Sequence, residues 1–220
     1  MPKVSDSFTK ARKQEILSAC EELYETKDFK DITVKDIAEK TSMSRASVYN
    51  YFQTKEEIFL GLLKREYDEW IASLDALRTK NDHLSVDEFA DAMGQMLAER
   101  WQLLKILSMN HYDMESNSRP EMLACFKVSY GRSLAAVREC LEKFFPGMPA
   151  ADVEDFLYAF FPFMFGIYPY TFVNERQKVA MKAAGVNYVF MTISEIVSRF
   201  VGTVLEGWNL IAPRKGEEGR

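Results

Sequence analysis

An arginine, a tyrosine and an asparagine stand close together in residues 44–52, SRASVYNYF, at intervals that would bring them onto one face of a short helix. Arg45, Ala46, Tyr49 and Asn50 form that face, while Val48, Tyr51 and Phe52 recur at spacings of three and four on the other. Arginine pairs bidentately with guanine and asparagine with adenine in the major groove, which makes Arg45 and Asn50 the candidate base readers. Tyr49, with the hydroxyls of Thr33, Ser44 and Ser47 and the ammonium of Lys55, has the chemistry of phosphate contacts.

These side chains need short, capped elements to hold them. Thr33 followed by Asp36, with Val34, Ile37 and Ala38 at helical spacing, predicts an N-capped amphipathic turn. Thr41, Ser42, Met43 and Ser44 break it, and Ser44 can cap a second helix over 45–52. Thr54, Lys55, Glu56 and Glu57 then open a third helix with a T-x-x-E capping box. Two short helices about a tight turn, followed by a long one, make a helix-turn-helix, whose second helix enters the major groove.

At these residues the chain resembles the TetR family of bacterial transcriptional repressors. The family pattern is matched by Thr33, Val34, Asp36, Ile37, Ala38, Ser44, Val48, Tyr49, Tyr51, Phe52, Lys55, Glu56 and Glu57, and Arg12, Ile16, Leu17, Leu23, Tyr24 and Phe29 fit its leading helix. Family members usually carry Gly in the turn where this chain has Ser42, and a left-handed backbone is harder for Ser. The resemblance implies an all-α fold, with an N-terminal three-helix helix-turn-helix domain and a C-terminal helical ligand-binding and dimerisation domain. The expected divisions are residues 1–54, 55–212 and a disordered tail at 213–220.

Composition agrees with a globular chain, hydrophobic residues being 47% and charged ones 28%. The net charge of −5 runs against nucleic-acid binding until it is divided: residues through Lys55 hold ten basic and nine acidic groups, the remainder eighteen and twenty-four. Attraction to DNA must then come from a basic face of the N-terminal part, with the acidic remainder turned away.

Catalytic chemistry is poorly represented. His83 and His111 lack metal-ligand spacing, although 111–115 holds His, Asp and Glu together, and no phosphate loop or nucleophile elbow occurs. No metal, no cofactor and no enzymatic activity are expected. Cys20, Cys125 and Cys140 have no C-x-x-C spacing, so buried reduced thiols are expected. No cleavable N-terminal signal is seen, which predicts a cytoplasmic protein. Residues 156–174 are uncharged but carry Pro162, Gly166 and Pro169, and a helix apolar all round can be buried on two sides instead of meeting a membrane.

Capping signals divide the rest into helices: a long lever over 56–77, then 86–100 behind Ser85 and Glu88, 101–110, and 119–145 behind Ser118 and Glu121. A helix from Asp152 through the aromatic run, kinked at Pro162, a short one over 175–184 and a last one capped by Thr192 and Glu195 follow. The aromatic and methionine abundance exceeds what a tight core uses, so some residues should line an apolar pocket, and Trp70, Trp101, Phe126, Tyr130, Phe160, Met164 and Tyr168 are its candidate walls. The resemblance implies a four-helix bundle between subunits built from the last two long helices, with Phe161, Phe165, Ile196, Phe200 and Val204 as interface candidates. Its partners would be a pseudo-palindromic double-stranded DNA operator, a second copy of the chain and an apolar or aromatic small molecule that releases it. The alternative is a DNA-bound protein whose C-terminal surface recruits another protein and holds no small ligand.

Overall fold

Local capping explains most of the helix starts. Thr33 and Asp36 form a reciprocal capping box at the head of α2 (Val34–Glu39), Ser85 and Glu88 do the same for α5 (Val86–Glu99), and Asn174 and Gln177 for α10 (Glu175–Ala183). Thr192 and Glu195 exchange the same bonds ahead of α11 (Ile193–Leu210). Gly185, at φ +67°, ends α10 with the left-handed residue that such a stop favours. The computed structural model describes residues 6–109 and 111–210, all-helical among these residues.

The remaining helices are α1 (Asp6–Thr26), α3 (Arg45–Val48), α4 (Lys55–Lys80), α6 (Trp101–Leu107), α7 (His111–Ser116), α8 (Pro120–Phe144) and α9 (Ala150–Thr171), with a 3-10 turn at Phe29–Asp31. Four expectations change. The second reading helix is shorter than 45–52, because Asn50 N–H reaches back to Ser47 and Tyr51 N–H to Val48, tightening the chain into a turn after Val48. Pro149, not Asp152, occupies the N-cap of α9. Ser118 donates its hydroxyl to the Met114 carbonyl at 2.7 Å, closing α7, an element that the periodicity did not reveal. Cys125 is exposed, while Cys20 and Cys140 are buried as expected.

Packing divides the chain into two units that interleave along the sequence, one of Met1–Glu69 with Met109–Arg132, the other of Trp70–Ser108 with Ser133–Arg220. In the first, Ile16, Cys20 and Tyr24 of α1 pack with Ile37, Val48 and Phe59 in a core from which water is excluded. Tyr24 and Phe29 both meet the Phe59 ring edge-on, at 5.0 and 4.7 Å between centroids. In the second, α5 lies against α11 along small residues. A Cβ on Gly94 would stand 2.6 Å from the Ser194 carbonyl oxygen and 2.5 Å from Ser198 Oγ, so only glycine permits that approach. Ile193, Val197, Val201 and Leu205 are the buried stripe of α11, at a constant spacing of four.

No single helix among the described residues is long and apolar enough to cross a membrane; α9 and α10 meet that measure only together, across a bend of 85°. One face of α9 is buried through Phe156, Phe160, Met164 and Ile167. The tail at 213–220 and the side chain of His111 lie outside the described residues.

Candidate nucleic-acid interface

Three anchors position the surface expected to read DNA. Ser44 Oγ accepts the Ser47 N–H at 3.2 Å and caps α3, while Val48 is fully buried and fixes which way the helix faces. The turn before it is held from α1: the Ser42 N–H donates to Glu15 Oε1 at 2.6 Å, and Arg12 Nη1 donates to Ser42 Oγ at 2.6 Å and to Glu15 Oε2 at 2.8 Å. No described residue other than glycine has a positive φ, so the turn forms at Ser42 without a left-handed backbone. Serine here contributes a hydroxyl and an N–H to a cross-link that a glycine would only half supply.

Those bonds depress the Glu15 carboxyl from 4.5 to about 2, the Ser42 N–H contributing most, then the Ser42 hydroxyl and Arg12. Asp36 is lowered likewise by the hydroxyl and N–H of Thr33.

Arg45, Ala46, Tyr49 and Asn50 are exposed, as are Thr33 and Ser44, with Ser47 half-buried. Arg45 and Tyr49 are joined, the guanidinium donating to the phenolic oxygen at 3.1 Å. Thr33 and Ser44 are both engaged in their caps, so each presents a helix N-terminus as much as a free hydroxyl. Lys55 sits differently from its expected role. Its Nζ donates to the Phe29 carbonyl at 2.7 Å and lies 3.9 Å from the centroid of the Phe29 ring, clipping the start of α4 to the 3-10 turn.

Sequence reasoning missed the group that secures the other end of the reading segment. Glu57 is fully buried and accepts from Arg119 Nε at 2.7 Å, Arg119 Nη2 at 2.9 Å, the Arg119 N–H at 3.1 Å and the Gln53 N–H at 2.7 Å. Burial raises its pKa, but the four bonds and the Arg119 charge prevail, and the net displacement is downward. Its own N–H donates to the Thr54 hydroxyl oxygen at 3.1 Å, leaving the anticipated capping box half made. The signal was present as T-x-x-E, but nothing local said that the carboxylate would turn to Arg119.

Residues 16–62 match the family model described as bacterial regulatory proteins, tetR family, and residues 64–211 match that described as tetracyclin repressor-like, C-terminal domain. The chain belongs to the TetR family. This TetR-family chain is 36% identical over 99 residues to the HTH-type transcriptional regulator YfiR of Bacillus subtilis, covering 44% of the chain and 48% of that protein. It is 28% identical over 110 residues to the HTH-type transcriptional repressor AcnR of Corynebacterium diphtheriae, covering 49% and 56%. The chain thus spans about half the length of these curated relatives. The fold is similar to that of the transcriptional regulator FadR from Bacillus subtilis, solved in complex with stearoyl-CoA, with a TM-score of 0.58, 14% identity and coverage of 88% of this chain and 98% of that one. The segment that holds Arg45 to Asn50 lies within the residues that the tetR family model matches.

The expected pocket residues are divided between the two units. Trp70, Phe160 and Met164 are fully buried in the second unit, Trp70 lying 6.3 Å from Phe160 between ring centroids. Trp101 stacks with Tyr168 at 6.5 Å, and Tyr168 with Phe172 at 4.4 Å, as a partly exposed aromatic wall. Phe126 and Tyr130 belong to the first unit, each 6.0 Å from the Tyr67 ring. Gln102, beside Trp101, is buried with its Oε1 lacking a hydrogen-bond partner. Of the interface candidates, Phe161 is 3% exposed and packs on Trp70 at 6.0 Å, which takes it out of the surface set. Phe165 is exposed, and Ile196, Phe200 and Val204 are half-buried. Among the described residues no group of three His, Cys, Asp or Glu is placed to hold a metal ion.

Proposed function

We propose that this regulator is a homodimeric repressor that binds a pseudo-palindromic operator and leaves it when a small apolar or aromatic molecule binds. Residues 1–54 form the reading head, and 55–212 carry the ligand and dimer functions. The observation that carries the reading is the exposed Arg45 at the start of α3, which Ser44 caps and the buried Val48 keys, with Tyr49 and Asn50 exposed in the turn that follows. One such face contacts too few base pairs for a useful specificity ratio, so two copies on related half-sites are the physical expectation.

The dimer reading is supported by the uncharged exposed stripe of α9, formed by Tyr158, Pro162, Phe165 and Pro169 at helical spacing. Phe200 of α11 stacks on Phe163 of α9 at 3.9 Å. A row of apolar groups of this length facing water favours a self-complementary contact about a two-fold axis. The effector reading rests on the Trp101, Tyr168 and Phe172 wall, which offers aromatic faces, with the unsatisfied Gln102 oxygen as a polar handle for a donor on the ligand.

Selection of bound sequences from random duplex DNA tests the proposal directly. Enrichment of two inverted half-sites, lost on Arg45→Ala, is expected. Enrichment of a single asymmetric half-site would remove the dimer from the reading, and no enrichment would remove specific recognition.

A further inference from the structure

The first unit holds a cavity of about 370 Å³ bounded by α1, α4, α8 and Phe52. None of the groups assigned above to base reading or to the effector wall lines it. Its floor is apolar, from Leu17, Phe52 and Met122. Gly61 lets that floor close, since a Cβ there would stand 3.1 Å from Leu17 Cδ2 and 3.3 Å from Phe52 Cε1.

The rim is cationic. Lys10 and Lys13, one turn apart on α1, and Lys64 and Arg65 on α4 line it, against the acidic Asp6 and Asp68. Asp68 is already committed: Lys64 stands 2.6 Å from its Oδ2, while Ser129 at 2.8 Å and Arg132 at 3.4 Å share Oδ1. Arg65 is drawn inward to 14% exposure of its side chain, donating to Ser18 at 3.1 Å and pairing with Glu21 at 2.7 Å, yet its buried Nε–H has no acceptor among the described residues. Buried N–H groups are almost always satisfied, so a cation with an unused donor at the wall of an open cavity marks the place of an acceptor. The space is within the range of small-molecule sites.

We propose that this cavity is a second ligand site, for a small amphiphilic anion, a carboxylate or sulfonate with a compact apolar body. The anionic head lies among Lys10, Lys13 and Arg65, and the apolar body covers Leu17, Phe52 and Met122. The occupant would bridge three helices and the residue that ends the reading segment.

Decanoate is a suitable probe and decanol its uncharged match, with Cys125 as a built-in reporter because it lines the cavity and is exposed. On the full-length protein, saturating decanoate should slow alkylation of Cys125 by iodoacetamide at least tenfold and raise the melting temperature. Decanol at the same concentration should protect far less. The pair Lys10→Glu and Lys13→Glu, both on the surface of α1, should weaken decanoate protection at least tenfold while leaving the unliganded melting temperature nearly unchanged. Cys125→Trp, read by the melting shift alone, should abolish the effect by filling the space. Equal protection by decanol, an unchanged Cys125 rate under decanoate, or full protection in the double variant would each overturn the proposal.

Discussion

Arg45 and Tyr49 are bonded to each other, Nη2 to phenolic oxygen at 3.1 Å, with the guanidinium carbon 5.6 Å from the ring centroid. They are four residues apart and both exposed, so the tyrosine restrains the arginine side chain. Under the proposed reading, an arginine restrained in advance loses less side-chain entropy on binding a base.

Arg45→Ala or Asn50→Ala is therefore expected to lose about 1–3 kcal/mol on the selected site and to relax base preference there. Tyr49→Phe should retain the stack, lose the hydrogen bond and show a smaller loss. Binding titrations on the selected site and on single-base variants at one salt concentration decide this. Equal losses on specific and random DNA would show that neither Arg45 nor Asn50 reads bases.

Lys55→Ala should act on stability first. Removing an ammonium bonded to the Phe29 carbonyl and resting on its ring is expected to destabilise the protein by about 1–3 kcal/mol. If Lys55 is the clip the geometry describes, the salt dependence of DNA binding stays as in the parent; a slope smaller by about one would return it to the phosphate contacts.

Gly94→Ala should destabilise by about 1–3 kcal/mol, since the new methyl meets the Ser194 carbonyl oxygen at 2.6 Å and backbone cannot swing aside as a side chain can. Ser198→Ala added to it should recover little, because the carbonyl clash remains. Urea unfolding of the two variants separates a backbone clash from a side-chain one.

Acid should loosen the reading head. The folded-state pKa of Glu15 is lowered from 4.5 to about 2, and Asp36 and Glu57 are lowered too. Depressed carboxyls contribute stability that is present above their unfolded values and is lost as pH falls through the folded ones. For Glu15 the window runs from 4.5 down to about 2. The urea midpoint should decline across it, and Glu15→Gln should lower the midpoint at neutral pH while making the decline shallower. A variant with the parent's full acid slope would show that Glu15 contributes nothing to it.

Phe165→Glu and Val204→Glu should yield monomers with a folded reading head and weakened operator binding, because a charge buried without a partner at an interface is costly. Phe165 is the cleaner test, being the exposed one of the two. Sedimentation that still shows dimers of both variants would place the contact elsewhere.

What was legible in the sequence was what is local. Thr33 with Asp36, Ser85 with Glu88 and Thr192 with Glu195 bond across three residues, so their caps could be written down before any fold was known. The exposure of Arg45, Ala46, Tyr49 and Asn50 followed from spacing alone, and the all-helical class from the repetition of such signals. Tertiary structure decided whatever depends on a partner far along the chain. Glu57 turns to Arg119 across 62 residues, Ser42 is held by Glu15 across 27, and Lys55 finds the Phe29 carbonyl across 26. From Phe156 to Thr171 α9 carries no charge, so periodicity has no contrast with which to tell the buried Phe161 from the exposed Phe165. Only the packing of α9 in the folded chain separates them, because burial is a property of the surroundings of a side chain and not of its type.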